Sequence, residues 1–191
     1  MKQYLLFTTL SFITMFSQAQ SHLPYYEVPD FPGSYNAGTV SARMIDGLGF
    51  RFYWATDSVS LDDLKYKPSE EARTFLETVE HIYGMSKMVV NATKGVINTN
   101  EKENLSFDEM RNQTLENLKA ASDVLKASDD LAIMTIKYQG KEGLVEYPFW
   151  LHLNGPISDC IWHTGQLVSM RRASGNPISD KPSFFTGKIK R

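Results

Sequence analysis

Residues 74–95, TFLETVEHIYGMSKMVVNATKG, decide the fold class. Thr74 and Glu77 have the spacing of a capping box. The threonine hydroxyl accepts from the N3 amide, and the N3 carboxylate reaches back to the amide of Thr74. Phe75, Val79, Ile82 and Val89 then recur with helical spacing and lay one apolar stripe along the segment. Lys94-Gly95 supplies the stop, a cation in the last turn followed by a residue that tolerates left-handed backbone. His81 lies beside the stripe, next to Thr78 and Met85 on the helical surface.

Three further segments share that period. One starts near Thr39 as N-cap, carries Ile45, Leu48, Phe52, Ala55 and Val59 on one face, and stops before Lys67-Pro68. Another opens with Ser106 and Glu109 as a second capping box and runs to about Ser128. Met110, Thr114, Leu118, Ala121 and Leu125 face inward on it. The last starts at Asn154-Gly155-Pro156, with Pro156 in the first turn where its missing N–H costs nothing. It runs through Ile157, Ile161, Leu167 and Met170 to Arg172, and Gly175 and Pro177 close it. Phe149 to Leu153 is open to two readings, a separate helical turn or part of a longer kinked helix. Asn98 to Leu105 is polar and reads as a loop. Leu131 to Tyr147 is β-branched and aromatic around the turn Gln139-Gly140-Lys141-Glu142-Gly143, and reads as a small β-hairpin packed on the helices. The expected fold is therefore all-α, a four-helix bundle with a small β-hairpin before the last helix.

The ends differ in composition. Lys2, the apolar run Leu5–Phe16 and Ser17-Gln18-Ala19 make residues 1–19 a secretory leader, too short in its apolar part to span a bilayer. Residues 20–38 read as an extended arm, because Pro24, Pro29 and Pro32 break any helix. The bundle occupies 39–177 and an extended tail 178–191. Of the chain's 20 basic and 22 acidic residues, cleavage removes only Lys2 and leaves a net charge of −3. That balance gives no hint of a nucleic-acid surface, which would need clustered positive charge. No later stretch is apolar enough for a transmembrane segment. Cys160 is the one cysteine, so an exported chain must hold together by packing, or by packing and a metal.

Asp159 and His163 are four apart and project from one helical face, which Gln166 continues. With His81 from another helix they make two imidazoles and a carboxylate, a set that binds Zn²⁺, Ni²⁺ or Fe²⁺ and leaves positions open for water or substrate. A blander reading exists for each. A histidine beside an apolar stripe is commonly a satisfied core residue. An aspartate in a first turn complements the helix dipole, and an Asp–His pair four apart is commonly a surface ion pair. His152 lies seven residues before Asp159 and shares its face only in an unbroken helix. Cys160 points a quarter-turn away and reads as packing. His22 reads as solvated, Trp54, Tyr83 and Trp162 as core or cavity wall, and Arg171 and Arg172 as dipole partners in the last turn.

Three segments together resemble the DinB-like, or YfiT-like, superfamily of metal-dependent four-helix-bundle proteins over about Thr39 to Pro177. They are Arg51-Phe52-Tyr53-Trp54-Ala55-Thr56 with Leu64-Lys65-Tyr66-Lys67-Pro68, then Glu77-Thr78-Val79-Glu80-His81-Ile82-Tyr83-Gly84, and lastly Trp162-His163-Thr164-Gly165-Gln166-Leu167 with Arg171-Arg172 and Gly175-Asn176-Pro177. The resemblance implies metal ligation by His81, Asp159 and His163. The family's last helix gives two histidines four apart, the second followed by Arg-Gly-Gln. Here Asp159 stands for the first histidine and Thr164 for the arginine, which gives a harder and more negative site. Two functions follow as expectations. One is a metal-dependent hydrolase or thiol S-transferase acting on a small-molecule substrate, with Glu80 or His152 as the only guesses at a base. The other is a non-catalytic metal- or ligand-binding module. Homodimerisation through helix faces is expected by analogy with similar bundles.

Overall fold

The computed structural model describes residues 23–99, 101 and 103–190. The expected leader and His22 lie outside them. The described chain is mainly helical. It comprises α1 (Ala37–Thr56), α2 (Leu61–Lys65), α3 (Phe75–Lys94), α4 (Phe107–Lys126), α5 (Phe149–His152) and α6 (Ser158–Ala173), with a π-helical turn over Leu153–Ile157 joining the last two. Both α1 and α3 pack on α4, and both pack on α6. The shared core takes Ile45, Leu48 and Phe52 from α1, Val79, Ile82 and Val89 from α3, Leu115, Leu118 and Leu125 from α4, and Ile157, Cys160 and Leu167 from the C-terminal part. Each large apolar side chain so buried contributes about 1.5–3 kcal/mol relative to exposure. Ile161, on the same helix as Leu167, is exposed.

The two capping boxes expected from sequence start α3 and α4. Thr74 Oγ1 accepts from the Glu77 amide at 3.1 Å, and Glu77 Oε2 accepts from the Thr74 amide at 2.7 Å. Ser106 and Glu109 repeat the pattern. α1 departs from expectation at both ends. Its cap is Asn36, whose Oδ1 accepts from the Thr39 amide at 2.8 Å, while Thr39 Oγ1 accepts from the Asn36 amide at 3.0 Å. Thr39 is thus the reciprocal partner and not the cap. The helix ends at Thr56, and Ser58, at φ 55°, turns the chain. A further box, Ser60 with Asp63, starts α2. Val59 falls in the connecting loop.

The last helix begins earlier than Asn154-Gly155-Pro156. Pro148 is its N-cap, and winding continues from Phe149 to Ala173 through the π turn. Pro156 has no N–H to donate, and its ring would crowd the His152 carbonyl four residues back in an α-helix. The wider turn relieves both problems, and Ser158 Oγ donates to the Leu153 carbonyl at 2.7 Å. Such a turn adds one residue to the register, roughly 100° of rotation. His152 therefore does not share a face with Asp159.

Strands β2 (Ile136–Gly140) and β3 (Gly143–Tyr147) form the expected hairpin, with Ile136 opposite Tyr147. It is shorter than the sequence reading, since Leu131–Thr135 precedes it without strand pairing. A third strand, β1 (Ile97–Asn98), pairs parallel with β2 where a loop was expected to begin. Asn98 fixes it by donating to the Lys137 carbonyl at 3.0 Å.

From Leu23 to Asn36 the chain has neither helix nor strand. Tyr25, at φ 73°, is buried and its ring lies over Gly49, where a Cβ would meet ring carbon at 2.4 Å. Tyr25 Oη donates to Asp46 Oδ1 at 3.2 Å. The tail, expected extended, folds back as a small antiparallel pair, β4 (Pro182–Ser183) and β5 (Lys188–Ile189). Ile189 packs on the cluster Val28, Phe50 and Trp54, and the Val28 amide donates to the Gly187 carbonyl at 2.8 Å. No helix among the described residues is long and apolar enough to cross a membrane.

Candidate metal centre

Contact between α3 and α6 brings His81, Asp159 and His163 together. His81 stands beside the buried stripe of α3. Asp159 lies in the first turn of α6, and His163 one turn later on the same face. His81 Nε2 is 2.8 Å from Asp159 Oδ2, and His163 Nε2 is 3.5 Å from Asp159 Oδ1. The two imidazoles meet edge-on, centroids 4.6 Å apart. One donor atom from each residue falls within 4.8 Å of the others.

Donors at 2.0–2.2 Å from a tetrahedral ion lie roughly 3–3.5 Å apart; the two histidines approach different oxygens of Asp159, and with one donor from each residue the three lie within 4.8 Å, so a cation would draw them slightly inward. The tautomer of His163 is also set. Gln166 Oε1 lies 2.7 Å from His163 Nδ1, so Nδ1–H donates to it and leaves the Nε2 lone pair toward Asp159. The cluster can therefore hold a metal ion. In the same geometry, a proton on His81 Nε2 makes a direct hydrogen bond to Asp159.

The site is reachable from outside, because the Asp159 side chain is 40% exposed while His163 is only 15% exposed. Two larger clefts end on it. One, of about 610 Å³, is lined by Tyr66, Arg73, Thr78, His163, Gln166 and Met170, among others. The other, of about 660 Å³, lies between the hairpin and the bulged part of the last helix and reaches Asp159. Trp162 borders both. Glu80 shares a shallower recess with His81 and Arg73.

The remaining candidates separate from this centre. His152 is fully buried, its ring edge-on to Phe149 at 5.2 Å, and it lines neither cleft. Burial alone pushes its pKa down to about 4. It is neither a base for this site nor a wall of it. Cys160 is buried against the Ile82 carbonyl, and burial, reinforced by Asp159, raises its thiol pKa far above the ordinary range. Trp54 is buried under the N-terminal arm and donates to the Tyr26 carbonyl at 3.2 Å. Tyr83 turns away to a polar cleft, hydrogen-bonded to Glu103 and Gln113.

Arg171 differs most from its sequence reading. It is buried and not a surface partner of the helix dipole. Its guanidinium donates to the carbonyls of Ala55, Asp57 and Asn176, clamping the end of α6 to the exit of α1. Asp63 of α2 receives Ser174 and Asn176 from the same corner. Burial alone would raise the Asp63 pKa, but hydrogen bonds from Ser174, Asn176 and Ser60 outweigh it and hold the carboxyl well below the usual range. Arg172 stays exposed.

Compared with known proteins, the chain matches no family model, no curated protein and no solved structure.

Proposed function

We propose that this chain is an exported metal-binding protein of the DinB-like four-helix-bundle kind, in which His81, Asp159 and His163 hold one Zn²⁺, Ni²⁺ or Fe²⁺ ion for hydrolysis or thiol transfer. The observation that carries it is the convergence of three donors from two helices, one with its tautomer fixed, at a point where two clefts end. Three protein ligands leave room for a further one, the arrangement of catalytic rather than structural sites. Such an ion supplies a Lewis acid that lowers the pKa of a water or thiol enough to give a nucleophile near neutral pH. Gln166 orients His163, and Asp159 contributes the charge that neutralises part of the cation. Glu80, which shares a recess with His81 and does not ligate, is the one candidate base. Export is supported by the leader-like residues 1–19.

A second reading is a fold staple without turnover. The direct His81–Asp159 contact favours it, because these side chains already join α3 to α6 on their own.

Metal content of the purified mature protein, measured by mass spectrometry beside His163→Ala and Asp159→Ala, tests the ligand set. Near-stoichiometric metal in the parent, lost in both variants, is expected. No metal after reconstitution would reduce the triad to a hydrogen-bonded cluster and end the enzyme reading. Turnover of a model ester or thiol conjugate, abolished by a chelator and restored by metal, separates the enzyme from the staple.

A further inference from the structure

The cleft of about 660 Å³ between the hairpin and the last helix has a character of its own. Its walls include Met85, Ile136, Tyr147, Leu151, Pro156 and Trp162, and Asp159 stands at the triad end. Among the described residues, no lysine, arginine or histidine lines it. An anionic ligand would find no cationic side chain on these walls and, in the metal-free protein, would face one carboxylate. Burial, with the neighbouring Tyr147, raises the Tyr138 pKa, so this wall phenol stays neutral. Trp162 is 72% exposed, and Tyr147 and Leu151 are more than 40% exposed. Exposed apolar surface gathered in a recess beside a polar centre marks a binding surface. The volume is that of a small-molecule site. The π turn helps to shape the recess. Gly155 lines it, and a Cβ built there meets nothing within 4 Å.

We propose that this cleft binds an uncharged, apolar, ring-bearing small molecule next to the triad. As the apolar part of a substrate, that molecule rests on the metal reading. As a ligand of the cleft, it is tested independently of any metal.

The test uses two dyes that share one skeleton, N-phenyl-1-naphthylamine and its anionic sulfonate, 8-anilinonaphthalene-1-sulfonate. They are titrated into the mature protein by fluorescence. Saturable one-site binding of the uncharged dye is expected, at least about tenfold tighter than the sulfonate. Gly155→Phe adds a ring to the cleft wall at a position where a Cβ meets open space. It is expected to weaken the uncharged dye at least about tenfold while the far-ultraviolet circular dichroism stays unchanged. Arg73→Ser, in the other cleft, leaves the affinity as it was. Stripping any metal with a chelator also leaves it unchanged, so failure of the metal reading and failure of the cleft are told apart. Equal affinity for the two dyes overturns the proposal. So does full affinity in Gly155→Phe. Sedimentation showing that self-association occludes the dye would make this face an interface between copies, and would overturn it too.

Discussion

His152 shows what burial does to one residue. Its ring is fully enclosed, and neither nitrogen has a hydrogen-bond partner among the described residues. With a folded pKa near 4 against 6.5 when unfolded, the imidazole is neutral in both states above pH 6.5 and costs nothing by titration. Between pH 6.5 and 4 the unfolded chain takes up a proton that the folded chain refuses. Stability therefore falls as pH falls through that window, by about 3 kcal/mol at its lower end. Urea unfolding at pH 7 and pH 4.5 should show this slope, and His152→Leu should flatten it. Gln166 gives a second prediction. Gln166→Leu frees the His163 tautomer and should weaken metal affinity roughly 10–100-fold, read by competition with a chelating dye. At this scale four-residue spacing was enough to put Asp159 and His163 on one helical face and periodicity to put His81 beside the α3 stripe, while their meeting comes from the packing of α3 on α6. The sequence was a poor guide to Arg171, whose partners at Ala55 and Asp57 lie more than a hundred residues away in the chain.

At the scale of elements, caps decide where helices begin. Asn36→Ala removes one half of the α1 box and should cost about 1 kcal/mol, measured as a lowered urea midpoint with unchanged slope. The boxes at Thr74 and Ser106 were legible because a hydroxyl followed three residues later by glutamate is a distinctive pair. The box at Asn36 was not, because its reciprocal acceptor is the Thr39 hydroxyl, a residue that is itself a common cap. The last helix misled for a related reason. Pro156 is welcome in a first turn, and only the three-dimensional path shows a widened turn accommodating it inside a longer helix. Strand β1 has two residues, too few to carry any period.

Across the whole molecule, remote corners are tied by a few buried polar groups. Arg171 joins α6 to the α1 exit, and Arg171→Met leaves the carbonyls of Ala55, Asp57 and Asn176 without this donor and removes the cation 3.9 Å from the Asp63 carboxylate. The expected loss is about 3–5 kcal/mol, read by thermal or urea unfolding. Asp63 adds a second acid limit of the same sense as that of His152, set at lower pH and by hydrogen bonds to the charged form instead of by burial. Its folded pKa is depressed, so its contribution is full above the ordinary carboxylate pKa and disappears as pH falls through the lower folded value. The arm and tail hold each other and the face of α1. Gly49→Ala would thrust a methyl into the Tyr25 ring and release the arm, which limited proteolysis should detect as new cleavage near Tyr25.

The π turn over Leu153–Ile157 has one more consequence, for evolution rather than chemistry. A turn with one residue in excess lets a helix take up an insertion while the stretches on either side keep their mutual orientation. Loss of Gly155 would therefore leave His152 off the face of Asp159 and His163, but would return Pro156 to ordinary winding, its ring against the carbonyl four residues back. A lineage that keeps this proline must keep the extra residue with it.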